Sequence, residues 1–334
     1  MKIAVLGAGA WGTALAIAWA RREPAHQVVL WSRDDGHAEA MRQSRQNALL
    51  PGVTLPAAVL PEEDFARAVQ AVDLAVVATP VVGLRPTVRA LTQHAAGVPL
   101  IWVCKGFEAG TGLLPHQVVD AELVLAGQSA TPCGTLTGPS FALEVARQLP
   151  TAVTFASRDG AWAEQLAREL HTARLRVYAH HDLIGAEVGG AVKNVLAIAT
   201  GICDGLGLGF NARAALMTRG LAEIARLGLA LGGRQETFMG LAGAGDLVLT
   251  CTGDLSRNRK VGLALAEGKA LPQVLADLGH VAEGVSTARE VAQLAIKLGV
   301  DMPIATTVAA VLEGRYDART GVEQLLARSP KSEF

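Results

Sequence analysis

The sequence predicts an α/β fold in two parts: a mostly parallel sheet covered by helices over residues 1–181, then an all-α domain over 182–334. Up to about residue 180, short apolar runs alternate with helical patterns. Runs such as LAVVA and LIWVC are apolar throughout, as strands buried on both faces are. From Asp182 onward such runs give way to long Ala- and Leu-rich segments. The length of 334 residues is twice that of an average domain, about 150. Half of the residues are hydrophobic and 18% are charged, which describes packed cores and not a disordered chain.

In chain order, strands are expected at Ile3–Leu6, Val28–Trp31, Leu74–Ala78, Leu100–Cys104, Gly134–Thr137, Ala152–Ala156 and Leu175–Tyr178. Helical patterns fall at 12–22, 62–70, 83–95, 140–148 and 160–171. The second part reads as helices at 182–204, 211–231, 254–267, 271–279, 284–298 and 303–313, with Asp182 placed to cap the first of them. The tail SPKSEF is expected to be loose.

Thirty basic against 31 acidic residues leave a formal net charge of −1. No field of one sign suggests nucleic acid or an anionic membrane as partner, and a local anion pocket stays open. Cys104, Cys133, Cys203 and Cys251 are widely spaced with no CxxC, which argues against a disulfide framework or a zinc site and for a reducing cytoplasm. No metal site is expected, and a homodimer is left open. The amino terminus has the apolar run and the A-x-A of a signal peptide, but glycines at 7, 9 and 12 would break a signal helix. No stretch reads as a membrane span; the apolar segment around 185–203 contains Glu187 and Lys193. Lysine and asparagine are scarce, 7 and 4 residues, and mark positions where that particular group is needed.

Gly7-Ala8-Gly9-Ala10-Trp11-Gly12 is a G-x-G-x-x-G segment between a strand and a helix. In that context Gly7 permits a tight turn, Gly9 lets the backbone approach a pyrophosphate at the helix terminus, and Gly12 allows close contact of helix and strand. The second strand ends in Ser32-Arg33-Asp34. A guanidinium there suits a 2′-phosphate and favours NADP, while Asp34 keeps NAD open.

Four further segments carry chemistry. Lys105 ends a buried strand, where open sheets bind ligands. Gly138-Pro139 makes a turn after another strand, and Ser140 is expected to cap a helix begun by Phe141. Gly189-Gly190 lies mid-helix, at a cost of about 1 kcal/mol per glycine, so something is expected to approach that backbone. Lys193 follows on the same apolar helix, with Glu187 and Glu223 as conceivable partners. Burial makes a lysine give up its proton more readily, so Lys193 is the candidate general acid/base. Finally, Gly243-Ala244-Gly245-Asp246 is read as a loop presenting a carboxylate or as a helix cap, and Ser256-Arg257-Asn258 offers a guanidinium fork for phosphate.

Taken together, GAGAWGTALA, VCKG, LTGPSFALEVA, AVKNVLAIATGI, GLAGAGDLVLTCTGDLSRNRKVG and VAEGVSTA resemble the bacterial-type NAD(P)-dependent glycerol-3-phosphate dehydrogenases, from residue 3 to about 315. The resemblance implies a Rossmann domain followed by a helical domain like that of 6-phosphogluconate dehydrogenase. It implies interconversion of dihydroxyacetone phosphate and sn-glycerol 3-phosphate, in the service of phospholipid synthesis. It implies Lys193 as the proton acceptor/donor, and Lys105, Gly138, Ser140, Asn194, Asp246, Thr250, Ser256, Arg257 and Asn258 at or near the substrate. Trp11, Arg33, Lys105, Ala142, Arg257, Val281 and Glu283 match cofactor positions, and Ala10 stands where some members have Ser. A 3-hydroxyacid or 6-phosphogluconate-type dehydrogenase would lack the GxGD…SRN segment, and a dinucleotide-sensing binding protein would not need Lys193 with Asp246.

Overall fold

The computed structural model describes residues 1–278 and 282–329. The chain forms two compact units: Met1–Lys105 with Leu113–Glu187, and Gly106–Gly112 with Val188 onward.

The first unit is built from β1 (Lys2–Leu6), α1 (Ala10–Ala20), β2 (Gln27–Trp31), α2 (Asp35–Ser44), β3 (Val59–Glu62), α3 (Phe65–Ala68), β4 (Leu74–Val77), α4 (Val81–His94), β5 (Leu100–Trp102), α5 (Pro115–Leu125), β6 (Cys133–Thr137), α6 (Ala142–Ala146), β7 (Thr151–Ala156), α7 (Gly160–Leu170) and β8 (Leu175–His180). The eight strands form one sheet in the order β3-β2-β1-β4-β5-β6-β7-β8. All pairings are parallel except β6 with β7. β1 pairs with β2 through Ile3↔Val28 and Val5↔Leu30, and with β4 through Ile3↔Leu74 and Val5↔Val76. These side chains are fully or almost fully buried, which is why the runs are continuously apolar. Trp19 of α1 is buried, and its indole N–H donates to the Leu170 carbonyl at 3.1 Å, so the ring is buried without an orphaned donor.

Each expected strand is present, and the departures have local causes. The helix expected at 62–70 is the single turn α3, which Asp64 caps, and it follows an edge strand β3 that was not expected. Pro61 lies in that edge strand, where a missing N–H does not break a ladder. Helix α2 escapes the pattern because Ala38 and Met41 are its buried residues and the rest is polar. Helix α5 opens with Pro115, and the Gln117 side chain accepts from the Leu114 N–H at 2.9 Å.

The last helix to begin in the first unit is α8 (Leu183–Gly205). Asp182 caps it by accepting from the Gly185 N–H at 2.8 Å. By length and composition α8 could cross a membrane, but 94% of its most apolar window is buried inside the protein, as in the core helix of a globular unit. The second unit continues with α9 (Gly209–Ala230), α10 (Gln235–Met239), α11 (Asp246–Thr252), α12 (Arg257–Ala266), α13 (Leu271–Leu278), α14 (Glu283–Leu298), α15 (Pro303–Leu312) and α16 (Ala318–Leu326).

Glu223 of α9 holds the start of α15: its carboxylate accepts from the Ile304 and Ala305 N–H groups at 2.7 and 3.0 Å. Burial, opposed by those two bonds, pushes its pKa from 4.5 up to about 7. The folded chain therefore binds this proton more tightly than the unfolded one. The stabilising contribution is complete below pH 4.5 and fades as pH rises toward 7. In urea unfolding, the stability difference between the native chain and Glu223→Gln should fall over that window by on the order of 3 kcal/mol. A difference that does not change with pH would contradict this account.

Candidate functional site

In the first unit, the glycine turn and Arg33 lie just past the carboxyl ends of β1 and β2. Gly7 follows β1 at φ 132°, a conformation costly for any residue with a Cβ. A Cβ there would also lie 2.7 Å from the Ala78 carbonyl oxygen. A Cβ on Gly12 would lie 2.1 Å from the Gly7 carbonyl oxygen, so α1 packs on the strand end as the fingerprint requires. Gly9 caps α1, and space above its α-carbon is open to 4 Å. Ala10 and Trp11 form the first turn of α1. Open space over the N–H groups of a helix start suits a pyrophosphate. The buried Thr79 hydroxyl, just past β4, has no hydrogen-bond partner among the described residues. These features fit a dinucleotide.

Arg33 is exposed at the end of β2. Asp34 beside it accepts from the His37 N–H at 2.9 Å and caps α2. One residue outside the expected set shapes the glycine turn. The buried Asn47 donates to the Ala8 carbonyl at 2.9 Å and to the Thr13 hydroxyl at 2.7 Å, while its oxygen accepts from the Leu49 N–H at 2.8 Å. It thereby pins the glycine turn. The scarcity of asparagine was the signal that could have singled it out.

The loops after β5 and β6 are tied together. Lys105 donates to the Gly138 carbonyl at 3.1 Å, and the Ser140 hydroxyl donates to the same oxygen at 3.0 Å. Ser140 is not a helix cap: Phe141 occupies the cap position without a side-chain bond, and Ala142 begins α6. The reason is that the Ser140 hydroxyl is turned back onto the strained Gly138 turn, at φ 127°.

In the second unit, Lys193 is 6% exposed and Asp246 1%. The Lys193 ammonium donates to Asp246 Oδ1 and, at 2.7 Å, to Thr250 Oγ1. The Thr250 hydroxyl donates in turn to the Asp246 carbonyl at 2.7 Å, leaving its lone pair for the ammonium. The expected glutamate partners of Lys193 are engaged elsewhere. Glu187 accepts from Trp102 Nε1 at 2.8 Å and from the His116 N–H at 2.9 Å, and pairs with His116 Nδ1; Glu223 caps α15. Burial raises the Glu187 carboxyl above its ordinary value.

Asp246 does not sit in a loop. Residues 241–245 form a π-helical turn that runs directly into α11, with Asp246 as the first residue of α11. Gly189 of α8 makes room for that turn: a Cβ would lie 2.4 Å from the Ala242 carbonyl oxygen. The close approach read from the Gly-Gly pair is thus made by protein backbone at Gly189. Farther along α8, a Cβ on Gly201 would lie 2.1 Å from the Arg259 carbonyl oxygen, and one on Gly262 of α12 would lie 2.1 Å from the Ile198 carbonyl oxygen. These contacts hold α12 against the helix of Lys193.

Ser256 caps α12, accepting from the Arg259 N–H at 3.2 Å. Arg257 is exposed in the first turn, and Asn258 is buried, donating to Asn194 Oδ1 at 2.9 Å. Glu283 opens α14. Val281 lies outside the described residues. Burial pushes the thiols of Cys133 and Cys251 up to about 11 and about 12, so neither is set up as a nucleophile.

Residues 2–163 match the family model described as the NAD-dependent glycerol-3-phosphate dehydrogenase N-terminus, and residues 182–323 match the corresponding C-terminus. Relatives named glycerol-3-phosphate dehydrogenase (NAD(P)+) include those of Dechloromonas aromatica, 64% identical, and Aromatoleum aromaticum, 59% identical, each over 100% of both chains. The crystal structure of glycerol-3-phosphate dehydrogenase from Coxiella burnetii has a TM-score of 0.92 at 41% identity and covers 98% of this chain and 99% of that one. A ketopantoate reductase from Ralstonia eutropha shares the fold alone, with a TM-score of 0.59 at 15% identity over 97% of this chain and 100% of that one. With both family models matched in order and such relatives aligned end to end, the chain belongs to the NAD-dependent glycerol-3-phosphate dehydrogenase family.

Proposed function

We propose that the chain is an oxidoreductase interconverting dihydroxyacetone phosphate and sn-glycerol 3-phosphate with NADP(H), or with NAD(H) as the weaker alternative. The observation that carries the reading is the buried ammonium of Lys193, held by Asp246 and Thr250. An isolated buried lysine is costly, and this one is fixed in place by a carboxylate and a hydroxyl.

Bound NADPH supplies the hydride that reduces the ketone carbon. Lys193 donates a proton to the carbonyl oxygen as negative charge develops there, and takes it back in the reverse direction. Asp246 fixes the ammonium, and Thr250 fixes its direction through the bond to the Asp246 carbonyl. Arg257 and the N–H groups at the start of α12 receive the substrate phosphate, a dianion for which a guanidinium fork and a helix start are both suited. Within the first unit, Lys105 and Ser140 converge on the Gly138 carbonyl. We place the protein in the cytoplasm, consistent with four free cysteines.

Oxidation of NADPH by dihydroxyacetone phosphate, compared with 3-oxoacids and with no substrate, tests the reading. Turnover with the phosphorylated triose supports it; turnover with 3-oxoacids alone contradicts it. The cofactor preference rests on Arg33 and on Asp34 being committed to the α2 cap. Arg33→Ala should weaken NADPH about 10- to 100-fold, the worth of a charge-assisted contact, and leave NADH nearly unchanged. An equal loss for both cofactors would remove the 2′-phosphate assignment.

A further inference from the structure

Within the first unit, one chain of hydrogen bonds runs from the end of β2 to the glycine turn. The Ser32 hydroxyl lies 3.2 Å from His37 Nδ1, and His37 Nε2 lies 3.0 Å from Asn47 Oδ1. Asn47 Nδ2 in turn donates to the Ala8 carbonyl at 2.9 Å. The two ends are neighbours in the sheet: Leu6 is in register with Trp31, and the Gly7 N–H donates to the Trp31 carbonyl at 3.1 Å. Ser32 stands where a dinucleotide-binding sheet ordinarily carries an acid for the ribose 2′-hydroxyl, with Arg33 next to it.

Two backbone groups fix the direction of these bonds. The Leu49 N–H donates to Asn47 Oδ1 at 2.8 Å, and the Ala8 carbonyl accepts from Asn47 Nδ2, so the orientation of the amide is settled. Facing an amide oxygen, His37 Nε2 carries the hydrogen. In a neutral ring Nδ1 is then an acceptor and takes the single hydroxyl hydrogen of Ser32. One lone pair of Ser32 accepts from the Asp34 N–H at 3.3 Å. What remains for a ligand is a lone pair, which suits a 2′-hydroxyl and not a 2′-phosphate. A protonated ring reverses this. Nδ1–H donates to Ser32, the hydroxyl hydrogen is released toward a phosphate oxygen, and the charge on the ring adds to that of Arg33.

Charged groups on the elements around His37 are engaged: Asp34 caps α2, Glu62 accepts from Arg67, Glu39 and Glu63 pair with Arg42, and Arg45 donates to the Val59 carbonyl. Arg33 and Asp35, on its own segment, are exposed, and α1 presents the hydroxyl of Thr13 to Asn47.

We propose that His37 is a positioning residue that sets cofactor specificity through Ser32, taking up a proton when a 2′-phosphate is bound and staying neutral for a 2′-hydroxyl. The proposal rests on the dinucleotide reading given above. Because the phosphate-bound form holds the proton more tightly than the free one, protonation of His37 strengthens NADPH binding as pH falls and leaves NADH binding unchanged.

Calorimetric titration of the full-length chain, repeated in buffers of different ionisation enthalpy, counts the protons. At about pH 7.5, uptake of about half a proton is expected with NADPH and none with NADH. The phosphate itself contributes with the opposite sign, since a bound dianion sheds its residual proton. His37→Gln should abolish the uptake. Its NADPH dissociation constant should exceed the native one about five- to tenfold at about pH 6 and match it at about pH 8.5, a ratio from which the titration of the phosphate cancels. NMR of the histidine ring nitrogens in the native chain should show the ring that is missing from His37→Gln as neutral with NADH and doubly protonated with NADPH. No uptake with NADPH, equal uptake with NADH, uptake retained in His37→Gln, or a ring that stays neutral overturns the proposal and leaves the proposed function standing. If neither dinucleotide binds, the dinucleotide reading falls and this inference falls with it.

Discussion

Lys193→Met should lower turnover with dihydroxyacetone phosphate by about 10³- to 10⁴-fold, with NADPH affinity nearly unchanged. General acid/base catalysis and stabilisation of a developing oxyanion each contribute up to about that much, and in the proposed reaction one ammonium supplies both. The substitution also leaves Asp246 as a buried carboxylate without its cation. Losing one partner of a buried pair costs about 3–5 kcal/mol. A low rate could then reflect an unfolded fraction, so the variant is best paired with Lys193→Met/Asp246→Asn. The double variant should regain most of the lost stability in denaturant unfolding and none of the turnover. Turnover within tenfold of the native chain, in a folded Lys193→Met protein, would end the acid/base assignment.

Gly262→Val should be among the most damaging changes away from the reacting groups. The Cβ would sit 2.1 Å from the Ile198 carbonyl oxygen and 2.7 Å from the Ile202 nitrogen, both backbone atoms of α8. Neither can swing aside as a side-chain tip would, so α12 must move away from α8. The expected cost is about 3 kcal/mol or more, at the upper end for overpacked cores. That corresponds to a melting temperature lowered by about 10 °C. Activity should fall with it, because α12 carries Ser256, Arg257 and Asn258. Lys260→Ala, at an exposed position of the same helix, should change stability by less than about 0.5 kcal/mol. If Gly262→Val is as mild as that control, the close packing of these helices is not what holds the substrate segment.

The fold was legible where burial leaves a periodic mark. Strands such as LAVV of β4 are buried on both faces and read as unbroken apolar runs. The glycine turn was legible for a different reason: Gly7 and Gly12 are demanded by backbone conformation and by contact distance, and both demands act within a few residues. Helix α2 left little trace because so little of it is buried, and β3 was missed because a short edge strand has no distinctive period.

The sequence by itself singled out the residue types of the candidate site: a lysine on an apolar helix, an acid after a Gly-x-Gly, an arginine after a capping serine. It also set the order of sheet and helices, because those signals are local and depend on which face of an element is buried. Tertiary structure decided which acid meets Lys193. Glu187, Glu223 and Asp246 are alike as sequence, and the first two turn out to be engaged by Trp102 with His116 and by the start of α15. It also decided that Asp246 opens a helix after a π turn, that Ser140 faces Gly138, and that Asn47 pins the glycine loop. Such pairings follow from where helices cross and how closely glycines let their backbones approach, distances that no periodicity within a single segment encodes.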